Sequence, residues 1–146
     1  MAKFTFEFEN VKRVKEILEK QAQKEVSLID SQIARQYEER RSVEEARRRL
    51  ALNVERNPRQ SVFELQRKAE LERALDEKER RIERLVAELK RKRQKKLDQL
   101  VERSKERKIF ETLKERRYEA YLTEERRQEQ KDNDDMTAQK YARGES

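Results

Sequence analysis

Apolar residues recur at positions 11, 14, 18, 22, 26, 29, 33, 37, 43, 46, 50 and 54, with Arg40 filling the one charged place in the series. The mean spacing is about 3.6 residues, the period of one face of an α-helix. The pattern predicts one amphipathic helix over residues 10–53. Downstream, Leu75, Ile82 and Leu89 repeat every seven residues with Leu85 and Val86 between them, and after a phase slip Leu97 and Leu100 resume the stripe. This predicts a second helix over 61–140 with a coiled-coil seam. The turn between them, at 54–60, holds the only proline. Asn57 can cap a helix with Pro58 at its first position, and Ser61 with Glu64 offers a second capping box. Two helices joined by so short a connection lie antiparallel. The expected fold class is therefore all-α, a two-helix antiparallel coiled-coil hairpin with a longer second helix.

The arms are unequal. A bend centred near residue 57 or 58 sets Val43 near Glu72 and Val26 near Leu89, and exhausts the first arm opposite residues 105–111. Residues 1–146 then read as a single coiled-coil domain whose second helix overhangs from about residue 110, with a tail at 141–146. Ile109, Phe110, Leu113, Ala120, Tyr121 and Leu122 share one face of that overhang, an apolar stripe with little to cover it. The aromatic N-terminal segment, 1–9, alternates Phe4, Phe6 and Phe8 ahead of Asn10, a candidate helix cap. The register places these rings beside Ile109, Phe110 and Leu113, as a plug against fraying, as rings that dock a partner, or as both.

Composition removes most chemistry. Charged residues make up 49% of the chain, yet it has one glycine and one proline, so the charge sits on helix formers and not in a disordered tract. Cysteine and histidine are absent, which leaves no thiol nucleophile, disulfide, imidazole catalysis or ordinary zinc site. No catalytic residue, metal or cofactor is expected, nor a small-molecule substrate. No run reaches the length of a membrane span and the start lacks the apolar core of a signal peptide, so the expected location is cytoplasmic. Lys90 to Lys108 holds ten Lys/Arg against Asp98, Glu102 and Glu106, a surplus of seven that equals the whole chain's net charge of +7. Such a band points to an acidic protein surface, with nucleic acid as an alternative and a solvated face as the bland reading.

The opening KFTFEFENVKRVKEILEK resembles the start of the FliJ family, the small general-chaperone component of the bacterial flagellar type III export apparatus. KERKIFETLKERRYEAY and the following TEERRQEQKDNDDMTAQKYAR are similar to the same family's C-terminal region, with Leu113, Glu115, Arg116, Glu129, Gln130, Lys131, Asp134 and Asp135 at matching places. Virulence-secretion stalk proteins are similar as well. Phe8 departs from the family opening, where Leu is usual.

The resemblance implies an antiparallel coiled coil acting as a stalk. Its implied partners are a hexameric export ATPase, an export-gate membrane protein and export chaperones, met at the cytoplasmic face of the inner membrane. On that reading Arg103, Lys105, Arg107 and Lys108 meet acidic loops of the ATPase ring, and Phe110, Leu113 and Tyr121 supply apolar contacts. Leu71, Leu75, Lys78 and Ile82, with Ala46 and Leu50 on the first helix, fall where the family presents its gate-binding strip. Leu75 and Ile82 also belong to the heptad, and burial in the seam is their simpler role. The alternatives are a basic coiled coil bound to nucleic acid and a structural protein that self-associates through its stripe.

Overall fold

The computed structural model describes residues 3–56 and 58–144. Two helices, α1 (Glu9–Arg56) and α2 (Val62–Ala142), pack against each other as a hairpin with the longer helix second. Among the described residues there is no strand and no helix long and apolar enough to cross a membrane.

Local chemistry explains the helix ends. Ser61 Oγ accepts the backbone N–H of Glu64 at 3.2 Å, and the Ser61 carbonyl accepts that of Leu65 at 3.0 Å. Ser61 is thus the N-cap of α2, with Glu64 adding a carboxylate where the helix dipole favours one. Asn57, the alternative cap, lies outside the described residues. At the start of α1 the expectation of an Asn10 cap fails. The helix already includes Glu9, and the Phe8 carbonyl accepts Lys12 N–H at 2.9 Å, so Asn10 sits inside the first turn. Just ahead of that turn the Glu9 N–H donates to the Phe6 carbonyl at 3.2 Å, and the Phe6 and Phe8 rings meet. Past the end of α2, Gly144 adopts a φ of 73°, the left-handed conformation that closes a helix C-terminus without a Cβ clash.

The chain separates into two compact units. The turn unit, residues 20–101, carries the hydrophobic core: Val43, 2% exposed, packs with Ile82 and Val86, and Leu75 lies against them. Ala22, Val26, Ile29 and Leu89 are buried as well. Ion pairs flank this seam from helix to helix, Arg93 with Asp30 at 2.6 Å, Lys96 with Glu25 at 3.0 Å, Lys78 with Glu39 at 3.2 Å and Arg47 with Asp76 at 2.6 Å. Three of these, at Asp30, Glu25 and Arg47, lie about seven residues farther along α2 than a bend centred at 57 or 58 predicts. A shift of one heptad keeps the same apolar face in the seam, so periodicity selects the face and leaves the register to the turn and the ion pairs. The expected neighbours Val43–Glu72 and Val26–Leu89 are displaced accordingly.

The terminal unit, residues 1–19 and 102–146, is built differently. Its seam is polar: Lys15 meets Glu106 at 3.0 Å, Lys114 meets Glu9 at 2.9 Å, and Arg107 pairs with both Glu19 and Glu111. Val14 and Ile17, by contrast, are 52% and 55% exposed. The expectation that Val11 and Val14 begin the buried stripe is therefore corrected. A stripe at about 3.6 residues per step drifts by about 20° per heptad from a 3.5-residue seam, enough over several heptads to turn its early members outward. Pairing also runs farther along α2 than expected. Glu7 meets Arg117 at 2.5 Å and the Phe4 ring meets those of Tyr118 and Tyr121, so among the described residues contact with the N-terminal arm extends to Tyr121 and does not end near residue 110.

Candidate partner-binding surfaces

The positions expected to meet an ATPase ring all fall in the terminal unit, but they are not equivalent there. Arg107 is held inside the hairpin by Glu19 and Glu111, hydrogen bonds that raise its pKa further above the arginine range. Arg103 turns to Glu106 at 3.4 Å and Lys105 to Glu102 at 3.6 Å, each an ion pair within one helix. Lys108 is exposed and without an ion-pair partner among the described residues. Of the four cations expected at this surface, Lys108 is the one whose charge is uncommitted.

The apolar members divide in the same way. Phe110 is half-buried, its ring 6.3 Å from that of Phe8. Tyr121 stacks at 6.3 Å on Tyr118, and both touch Phe4. Burial, followed by the Glu125 carboxylate, raises the Tyr121 pKa. Leu113 instead lines a shallow depression of about 390 Å³ on α2 with Lys108, Ile109, Thr112 and Arg116. Ile109 is 62% exposed and stands apart from the aromatic cluster it was expected to join. Tyr118 takes that place, a residue that the apolar-stripe reading passed over. Its signal was present in the sequence: Phe110, Tyr118 and Tyr121 fall eight and eleven residues apart, on one helical face.

In the turn unit, five of the six residues expected in a gate-binding strip line one groove. Ala46 and Leu50 from α1 and Leu71, Leu75 and Lys78 from α2 enclose about 550 Å³, with Arg49, Asn53, Ala74 and Arg81 completing the walls. The floor is apolar, the charged residues on the rim are cations, and no carboxylate lines it. Ile82, the sixth, is buried in the core beside Val43. Leu71 remains 47% exposed, and Val62 and Phe63 at the first turn of α2 are more exposed still, an apolar end that neither the heptad nor the resemblance singles out.

The basic band of residues 90–108 is half spent within the fold. Arg93, Lys96, Arg103, Lys105 and Arg107 are ion-paired, whereas Lys90, Arg91, Lys92, Lys95 and Lys108 have no ion pair among the described residues. No group of residues suited to hold a metal ion occurs among those described. The family profile described as "Flagellar FliJ protein" matches residues 4–146. No curated protein and no solved structure matches the chain.

Proposed function

The chain belongs to the FliJ family, a non-catalytic component of flagellar protein export, and on that premise we propose that it is a stalk coupling the hexameric export ATPase to the export gate. In this reading the terminal unit engages the ATPase ring through Lys108, Leu113 and the aromatic cluster, and the turn unit engages the export-gate membrane protein. Escort of empty export chaperones belongs to the same role, which is carried out at the cytoplasmic face of the inner membrane.

The observation that carries the proposal is the groove bounded by Ala46, Leu50, Leu71, Leu75 and Lys78. A hairpin whose only task was to hold its own helices together would close its seam on these apolar side chains. Here Ala46, Leu50 and Leu71 line an open groove instead, with cations at its edge, of which Lys78 is paired with Glu39 while Arg49 and Arg81 have no ion pair among the described residues. An apolar floor with a charged rim suits a protein partner, the floor contributing affinity and the rim orientation. The test is a paired pull-down with purified export ATPase and the cytoplasmic part of the gate protein. Leu50→Asp with Leu71→Asp is expected to abolish gate capture and leave ATPase capture intact. Loss of both, or of neither, would count against a division of labour between the units.

A further inference from the structure

Residues 3–8 precede α1 as a non-helical strap that runs along α2 of the terminal unit. Its side chains alternate in kind and in partner. Phe4 sits 5.2 Å from Tyr118 and 5.4 Å from Tyr121, Phe6 is buried at 6% exposure against Phe8, and Phe8 meets Phe110 at 6.3 Å. Between and after the rings, Glu7 meets Arg117 at 2.5 Å and Glu9 meets Lys114 at 2.9 Å. Phe4 and Phe8 thus meet aromatic residues of α2, Phe6 packs on Phe8 within the strap, and Glu7 in the turn and Glu9 at the start of α1 meet cations.

We propose that the face of α2 bearing Phe110, Tyr118 and Tyr121, with Lys114 and Arg117 beside it, is a peptide-binding seat for segments that alternate aromatic and acidic residues. The chain's own residues 4–9 are its resident occupant, and a partner presenting the same alternation displaces them. Three features favour exchange over a permanent clasp. Glu7 and Arg117 are each about half exposed, so water competes for their ion pair. Phe4 has aromatic partners on α2 alone and no helical backbone of its own to hold it. The seat is also larger than its occupant, because a groove of about 490 Å³ lined by Phe4, Lys12, Glu111, Lys114, Glu115 and Tyr118 stays open beside the strap. Tethering gives the resident segment a local concentration of roughly millimolar order, which a competitor must overcome through added contacts in that groove. The inference stands on these contacts and does not depend on which export components the protein meets.

Because the chain has no cysteine, a single disulfide can lock the strap in the full-length protein. The probe is a fluorescein-labelled peptide copying residues 3–9, Lys-Phe-Thr-Phe-Glu-Phe-Glu. It is titrated by anisotropy against the Phe4→Cys, Tyr121→Cys protein, oxidised and reduced, and against Phe4→Ala with Glu7→Lys. Binding to the open double variant is expected to be at least about tenfold tighter than to the oxidised lock, to weaken on adding Arg117→Glu, and to vanish for a scrambled peptide. Equal binding to locked and open proteins, or none to an open variant that melts like the parent, overturns the proposal. Should the open variant melt early, the parent decides: excess peptide must speed hydrogen exchange in residues 4–8 while α1 beyond Glu9 keeps its protection. Unchanged exchange there overturns the proposal equally.

Discussion

Arg93 Nε lies 2.6 Å from Asp30 Oδ1, a pairing that fixes the register of the turn unit one heptad away from that of a symmetric bend. The pair is partly exposed and contributes little stability by itself, but it identifies which residues face each other. Cysteines introduced at Asp30 and Arg93 should crosslink within one chain under mild oxidation. A Val26→Cys, Leu89→Cys protein, matched to the symmetric register, should crosslink slowly or between chains. Non-reducing electrophoresis with mass spectrometry reads both, and rapid intrachain closure of the second pair would restore the symmetric register.

Val43 is the deepest side chain of the seam, and Val14 lies largely in solvent although both belong to one sequence stripe. Val43→Ala removes methyl groups from a packed site and should cost about 1 to 3 kcal/mol. Val14→Ala should change stability by about 0.5 kcal/mol or less. Urea unfolding followed by circular dichroism separates the two, and a similar cost for both would place Val14 in a core.

The two helices and the order of the arms were legible in the sequence because each follows from local rules, a 3.6-residue period, a capping serine and the absence of glycine and proline elsewhere, whereas α1 runs on to Arg56, three residues into the expected turn of 54–60. What stayed hidden depends on the angle and height at which the helices meet. A heptad slip leaves Leu75 and Ile82 in the seam either way, so the stripe could not reveal that Arg47 reaches Asp76. Most of the groove lined by Leu50, Leu71 and Lys78 was named in advance through family resemblance, not through periodicity. The cations were harder. Nothing in the composition of the basic band distinguishes Arg107, bound to Glu19 from the other helix, from Lys108, which is not.

The terminal unit should loosen in acid. Hydrogen bonding from Lys114 holds the Glu9 carboxyl below its usual 4.5, and Lys15 does the same for Glu106. A carboxylate whose pKa is lower in the folded state stabilises the fold above its unfolded value, and that contribution disappears as pH falls from about 4.5 through the folded value. Amides of residues 6–19 should therefore lose protection below about pH 4.5 before those around Val43, whose packing contains no titrating group. Hydrogen exchange by NMR at descending pH measures the order. Simultaneous loss in both units would show that these carboxylates do not govern the terminal seam.

Arg107 and Lys108 are neighbours in sequence with opposite duties, which yields a paired prediction for ATPase binding. Arg107→Glu sets a carboxylate against Glu19 and Glu111, so it should lower the melting temperature and weaken binding only as a consequence of the loosened seam. Lys108→Glu disturbs no ion pair among the described residues and should leave the melting temperature within about a degree or two, since exposed surface changes alter stability little. Its effect should appear in the association rate for the ATPase, largest at low ionic strength and fading as salt shortens the Debye length. Melting curves alongside surface plasmon resonance at two salt concentrations decide the matter. If Lys108→Glu binds as the parent does at low salt, the cation beside Leu113 plays no part in the ring contact, and the depression it borders belongs to the bare surface of α2.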